Sequence, residues 1–266
     1  MAGYPKTARN TVNRYRNRGA YDYTTIHTII NTSPVLHVSF NPSPTTDPFP
    51  TTLPMIGALG SYPFPETPLS EPLHLYLHGY SSSRLMRLPP TPSTSPDNDP
   101  TNPDDAPAGL PLCVTATHLD GLVLALTPNH HSMNYRSALL HGYASLVTDP
   151  GEKLYAMQLM TDNLIPHRWA NTRVPPNKTE MTSTAILRVE IVDASAKVRE
   201  GEPGEDRADE RDEGVRGRVW TGVVPGSFVW GRAEPAGKCQ VEVPEHVLRL
   251  VNGEGKQGER GRVEED

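Results

Sequence analysis

Only two cysteines, Cys113 and Cys239, occur in 266 residues, too few for a disulfide framework and without the spacing of a zinc site. Aromatic residues make up 6% and hydrophobic residues 36% of the chain, so a core can form only if the apolar residues are gathered into a few runs. They are gathered in this way, but no run approaches the ~20 apolar residues that a membrane-spanning helix needs. No signal-peptide core is present either, which leads to the expectation of a soluble, cytoplasmic protein without a membrane partner. A net charge of −6 gives no general ground for nucleic-acid binding. The basic cluster Lys6, Arg9, Arg14, Arg16 and Arg18, with no acid before Asp22, stays open between a targeting segment and a plain basic lead. Standard catalytic signatures are missing too: there is no zincin helix, no Walker loop and no nucleophile elbow, and Gly57-Ala58-Leu59-Gly60 is not a dinucleotide fingerprint.

Loop-forming residues are plentiful, with 28 prolines and 21 glycines. Residues 88–110, with seven prolines between Pro89 and Pro107, read as a disordered insertion. Eight acids and five arginines between Arg199 and Arg218 show no apolar periodicity, so 199–218 reads as a second solvated loop. The expected organisation is a flexible start at 1–13, a single domain over 14–251 carrying these two insertions, and a disordered tail at 252–266.

Between the loops the pattern is mostly that of strands. Asp22 reads as the N-cap of a short helix with Ile26, Ile29 and Ile30 on one face. Strands are expected at Val35 to Phe40, at Leu53 to Gly60 with prolines marking an edge or bulge, and at Leu73 to His78. In the last of these, Leu73, Leu75 and Leu77 face one way and His74, Tyr76 and His78 the other. Leu112 to Leu119 and Gly121 to Leu126 read as two strands joined by a hairpin turn at Asp120-Gly121, followed by a strand over Ser137 to Val147. Asp149-Pro150-Gly151-Glu152 has the form of an N-cap, a proline at the first helical position and a capping-box acid. Leu154, Met157, Met160 and Leu164 are then the expected buried stripe, and Pro166 the stop. Ile186 to Val192 and Val219 to Val224 complete the strands. The whole is mainly β with peripheral helices, an antiparallel closed or split barrel.

Two runs carry the chemistry. Leu77-His78-Gly79-Tyr80-Ser81-Ser82-Ser83-Arg84 takes a strand directly into hydroxyls and a guanidinium, a donor set suited to phosphate. His130-His131-Ser132-Met133-Asn134-Tyr135-Arg136-Ser137 opens a later strand in a similar way. Ten histidines invite a metal reading, but His74 and His78 lie about 13 Å apart along a strand. His130 and His131 would need a distant third ligand, and no metal is assigned.

Taken together, these runs resemble the pyridoxamine 5'-phosphate oxidase-like family of FMN-binding split barrels. The likeness is nearest its nitroimidazole-resistance, flavin-nucleotide-binding branch, through Arg18-Gly19-Ala20-Tyr21-Asp22, Leu75-Tyr76-Leu77-His78-Gly79, Leu119 to Ala125, Ala194 to Arg199 and Val219 to Pro225. The resemblance implies FMN as cofactor, with haem as the alternative because related barrels bind it, and a homodimer with cofactor sites at its interface. It places Thr51, Thr52, Leu53, Pro54, Met55 and Ile56 along the flavin ring, mainly through backbone. Leu77, His78, Ser82, Ser83 and Arg84 then belong to the phosphate turn, Arg136 and Ser137 to the phosphate or ring edge, and Trp220 either to a cover over the ring or to core or interface packing. His78 is the candidate catalytic side chain or equally a hydrogen-bonded barrel histidine, His131 reads as loop-ordering, and either is the candidate axial ligand if haem binds. Relatives often carry lysine where Ser82 stands, and no Arg-Leu-x-x-Arg follows Trp220, which speaks against vitamin B6 oxidation. The expected function is a flavin-dependent oxidoreductase acting on an electron-poor small molecule such as a nitro compound. The alternatives are a flavin- or haem-binding module without turnover and a scaffold dimer with an empty pocket.

Overall fold

The computed structural model describes residues 2–42, 46–88 and 109–253. In chain order its elements are β1 (Gly19–Ala20), α1 (Tyr23–Thr32), β2 (Leu36–Phe40), β3 (Thr51–Met55), β4 (Gly57–Gly60), β5 (His74–Tyr80), α2 (Arg84–Arg87), β6 (Leu110–Leu124) and β7 (Ser132–Leu146). There follow α3 (Pro150–Leu164), α4 (Lys178–Ser183), β8 (Thr184–Arg199), α5 (Arg207–Arg211), α6 (Glu213–Arg216), β9 (Gly222–Pro225) and α7 (Glu245–Val251). These elements fall into two compact units. Met1–Thr11, Tyr21–Ala116 and Ala138–Ser195 form the first, and Val12–Ala20, Thr117–Ser137 and Ala196–Asp266 the second, so β6, β7 and β8 each have a part in both.

The first unit is an antiparallel split barrel. Its strand path runs β3-β2-β6-β7-β8-β5-β4, and Ile56 alone separates β3 from β4, so the two ends of the path meet in one bent strand. Inside the ring, Leu36, Val38, Leu75, Leu77, Val114, Leu187 and Val189 are all at most 1% exposed. Gly57 is required where the ring closes: a Cβ there would lie 2.7 Å from Leu77 Cδ2 and 2.8 Å from the Tyr76 carbonyl oxygen.

Helix α1 starts as the sequence predicts, with the Asp22 carboxylate accepting from Thr25 N–H at 2.9 Å and Ile26, Ile29 and Ile30 buried. Helix α3 starts in the same way, Asp149 accepting from Glu152 N–H at 2.7 Å. Its buried stripe is different from the one expected. Glu152, Ala156 and Met160 are buried, while Leu154 and Leu164 are exposed. The reason lies in β5, whose supposedly polar face is covered: Tyr76 is fully buried and packs with Ala156 and Met160. The Tyr76 hydroxyl donates to Glu152 at 2.9 Å, and Arg188 donates to the same carboxylate at 3.1 Å. An acid inside the stripe is thus neutralised and hydrogen-bonded, as a buried charge must be.

Gly3 and Tyr4 make contacts with the segment around α1. Gly3 bridges Asp22, Tyr4 is buried, and the Tyr4 hydroxyl lies 2.7 Å from His27 Nε2. His27 is fully buried, and its Nδ1 donates to the Leu69 carbonyl at 2.8 Å, which leaves Nε2 to accept from Tyr4. Burial holds its pKa down at about 4.

In the second unit the expected hairpin turn at Asp120-Gly121 is absent, and β6 passes straight through it as one strand. Gly121 serves a close approach instead, since its Cβ would sit 2.8 Å from the Val224 carbonyl oxygen on β9. Strand β9 pairs with Gly121–Leu124 of β6, and β1 pairs with Ala196 and Lys197 of β8, both antiparallel. Residues 199–218 are not a featureless loop. Arg199 ends β8 and is buried, and α5 and α6 follow, each four or five residues long. Most of the expected 88–110 insertion and of the 252–266 tail lies outside the described residues. No helix among the described residues is long and apolar enough to cross a membrane.

Candidate functional site

The first unit presents a split where its bent strand changes partner. Gly57 pairs with Leu77, whereas Met55 already pairs with Leu36, so beyond Leu77 strand β5 loses its neighbour on that side. His78, Gly79 and Tyr80 are hydrogen-bonded to β8 alone, opposite Ile186, Ala185 and Thr184. Continuing the β4–β5 register by one step sets Ile56 beside His78. The Ile56 end of the Thr51 to Ile56 segment therefore lies next to the start of the turn that follows β5. His78 is exposed there, and Leu77 is fully buried in the barrel, so only its backbone is available to a ligand.

The turn after β5 is held from within. Ser81 N–H donates to the Ser183 carbonyl at 2.8 Å and Ser83 N–H to the Tyr80 carbonyl at 2.8 Å. Leu85 and Met86 of α2 then anchor in the core, and Gly79 makes room for them: a Cβ on Gly79 would lie 2.6 Å from Met86 Cε. This leaves Ser82 and Arg84 exposed and Ser83 partly so. Ser83 stands at the N-cap of α2 without making a side-chain cap bond, and Arg84 has no hydrogen bond or ion pair among the described residues. The amides opening α2 also lack carbonyl partners within the helix. Free hydroxyls, free amides and one free guanidinium on an anchored turn fit a phosphate group.

A second feature of the same unit was not anticipated. A cleft of about 400 Å³ is lined by residues including Arg9, Ser39, Phe40, Cys113, His141 and Tyr143. Behind it Asp193 is completely buried and fully engaged. Arg9 Nε donates to its Oδ2 at 2.6 Å and His141 Nδ1 to its Oδ1 at 2.9 Å. Burial, with the Asp193 charge adding to it, pushes the Cys113 thiol up, so this cysteine stays protonated and is a poor nucleophile. The available signal was a lone acid inside Ile191-Val192-Asp193-Ala194, since a carboxylate in an apolar strand demands partners.

Arg136, Ser137 and Trp220 belong to the second unit. Arg136 is already paired, its Nε and Nη2 donating to the two Asp120 oxygens at 2.9 and 2.7 Å. Ser137 donates to the Lys197 carbonyl at 3.2 Å, and Trp220 is 64% exposed beside Gly222. A cavity of about 350 Å³ here is lined by residues including Asp120, Asn134, Arg136, Arg199 and Ser227. Arg199 is buried against the Asn134 side chain and the Glu202 carbonyl. His131 Nδ1 accepts from Ala125 N–H at 2.9 Å, which orders the loop and places the imidazole proton on Nε2.

Comparison with known proteins follows the same lines. Over residues 22–198 the chain matches the family described as pyridoxamine 5'-phosphate oxidase. Among solved structures it is similar to the flavocytochrome Anf3 from Azotobacter vinelandii, with a TM-score of 0.70 and 27% identity over 92% of this chain and 97% of that one. A FAD and haem binding protein from Mycobacterium smegmatis has the same fold, with a TM-score of 0.66 and 24% identity over 88% and 97% of the two chains. A provisionally named 5-nitroimidazole antibiotic resistance protein from Bacteroides thetaiotaomicron reaches a TM-score of 0.44 and 16% identity over 68% and 86%, too distant to bear on the branch. No curated protein matches. With more than half its length matched, an antiparallel barrel split where β3 gives way to β4, and a phosphate-suited turn at that split, the chain belongs to the pyridoxamine 5'-phosphate oxidase family.

Proposed function

We propose that the chain binds a flavin nucleotide at the split of its barrel and uses it to pass electrons to a small, electron-poor substrate. The single observation that carries this reading is the anchored Ser81–Arg84 turn, whose Arg84 has no partner among the described residues, following a strand whose His78 falls beside Ile56 in the β4–β5 register. The names of the flavocytochrome and of the FAD and haem binding protein support flavin as the class of ligand. FMN and FAD share the phosphate that this turn suits.

In this reading Arg84, Ser82 and Ser83 hold the phosphate, with Arg84 making charge-assisted bonds. The backbone of Thr51 to Ile56 lies along the ring, and His78 is the exposed group positioned to offer a proton at its imidazole. A bound flavin supplies hydride and single-electron chemistry, while the protein supplies orientation and electrostatics. Arg136 serves the scaffold through Asp120. The open side of the split is closed by a second copy of the chain, so the working form is a homodimer.

Haem binding is the second reading, favoured by the same two relatives. His78 suits an axial ligand because it is exposed and without a hydrogen bond among the described residues. His131 suits it less, since the unprotonated nitrogen is the one already taken by Ala125.

The test is an absorption spectrum of the purified chain after separate incubation with FMN, FAD and haem, each followed by gel filtration. A retained flavin spectrum on a dimer, weakened by Arg84→Ala, is the expected result. Failure of the wild-type chain to retain either flavin would overturn the proposal. NADH or NADPH oxidation with a nitroaromatic acceptor then separates turnover from binding alone.

A further inference from the structure

In the second unit the loop before β7 and the start of α5 bring together one imidazole and three carboxylates. His130, Asp206 and Asp209 each place a ligand atom within 4.8 Å of the others. His130 Nε2 is 4.0 Å from Asp206 Oδ2. Donor atoms bonded to one first-row divalent ion at about 2.0–2.2 Å are separated by at most about 4.4 Å, so that pair already lies within the span of a shared ion.

Two further observations bear on this cluster, one at Asp206 and one on the Nδ1 side of His130. Asp206 occupies the N-cap position of α5, where an aspartate ordinarily accepts from the helix amides, yet it makes no cap bond. Its carboxylate lies near His130 instead. Glu205 is the stronger case, because its side chain is 9% exposed and its Oε2 is buried without any hydrogen-bond partner. The other oxygen, Oε1, accepts from Leu126 N–H at 2.8 Å, which fixes the carboxylate in place. Oε2 lies 3.7 Å from His130 Nδ1, and Thr127 Oγ1 is 3.2 Å from the same nitrogen. A buried carboxylate with an unsatisfied oxygen is costly unless a positive charge or a donor completes it.

We propose that His130, Asp206 and Asp209 form a binding site for a first-row divalent transition ion such as Zn²⁺, with Glu205 as the outer carboxylate that orients His130. Nδ1–H faces Glu205 and Thr127, which leaves the Nε2 lone pair for the ion, the usual relay of carboxylate, histidine and metal. One imidazole among oxygen donors selects such an ion over Mg²⁺ or Ca²⁺. Three protein ligands leave room for water, and the bound ion ties the 128–130 turn to α5. The site draws its ligands from two segments far apart in sequence, and it is independent of flavin binding.

The test uses the full-length chain stripped with chelator, titrated with Zn²⁺ by calorimetry and with Co²⁺ by visible absorption, alongside His130→Gln, Asp209→Asn and Glu205→Gln. The expected result is one saturable site per chain. His130→Gln weakens it at least 100-fold with loss of the Co²⁺ bands, and Asp209→Asn and Glu205→Gln weaken it about tenfold each. Metal-free melting of His130→Gln and wild type should coincide, with Zn²⁺ raising only the wild-type midpoint. No saturable binding by wild type, or equal binding by a folded His130→Gln, would overturn the proposal.

Discussion

Arg84 is exposed at the start of α2 with no partner among the described residues, whereas Arg136, beside a serine on β7, has its Nε and Nη2 closed on Asp120. Both looked alike as phosphate ligands, each an arginine next to serine at the edge of an apolar strand. The difference teaches that a guanidinium is left available to a ligand where the fold brings no carboxylate to it. Strand β6 runs straight through Gly121 and so carries Asp120 within reach of Arg136, whereas the turn after β5 carries no acid between Tyr80 and Leu88. Arg9 extends the contrast, as an arginine whose carboxylate partner is completely buried.

The comparison can be broken hardest at Asp193. Asp193→Ala removes the shared acceptor of Arg9 and His141 and should cost about 3 kcal/mol in urea unfolding, while Asp193→Asn, which keeps the shape, should cost less. An unchanged midpoint for the alanine variant would show that a buried ion pair here contributes nothing. Next comes Arg84→Ala, expected to weaken flavin binding by about 2 kcal/mol, roughly 30-fold in Kd, with the unfolding midpoint unmoved. A loss of stability without loss of affinity would reverse the roles given to Arg84 and Arg136.

Protons probe the same distinction between engaged and free polar groups. His27 has its pKa lowered from 6.5 to about 4 by burial, so the unfolded chain takes up the proton first as pH falls. The stability it contributes is complete above pH 6.5 and is lost as pH falls toward 4, on the order of 3 kcal/mol. Unfolding curves at pH 7 and pH 4.5 should show this loss, and it should shrink in His27→Gln. The smallest effect belongs to the partly exposed pair: a double-mutant cycle on Arg136→Ala and Asp120→Ala should give a coupling of about 1 kcal/mol or less. Flavin affinity should stay within about twofold in Arg136→Ala, because the proposal gives this residue to the scaffold.

The sequence by itself determined what depends on near neighbours. Asp22 and Asp149 were legible as N-caps because a cap is satisfied within three residues. The barrel strands were legible from runs of apolar residues, and the family from short motifs spread along the chain. Tertiary structure alone decided whatever depends on partners far away in sequence. Tyr76 looked solvent-facing until α3 covered it, and Glu152 looked like a capping acid until Tyr76 and Arg188 claimed it. Asp120-Gly121 has the composition of a turn, yet β9 needed a glycine there for close approach and β6 ran straight. Whether Arg84 was free and Arg136 engaged was fixed by where one carboxylate came to rest. Electrostatic and packing energies depend on distance in space, and sequence spacing reports that distance only within a helical turn or along a single strand.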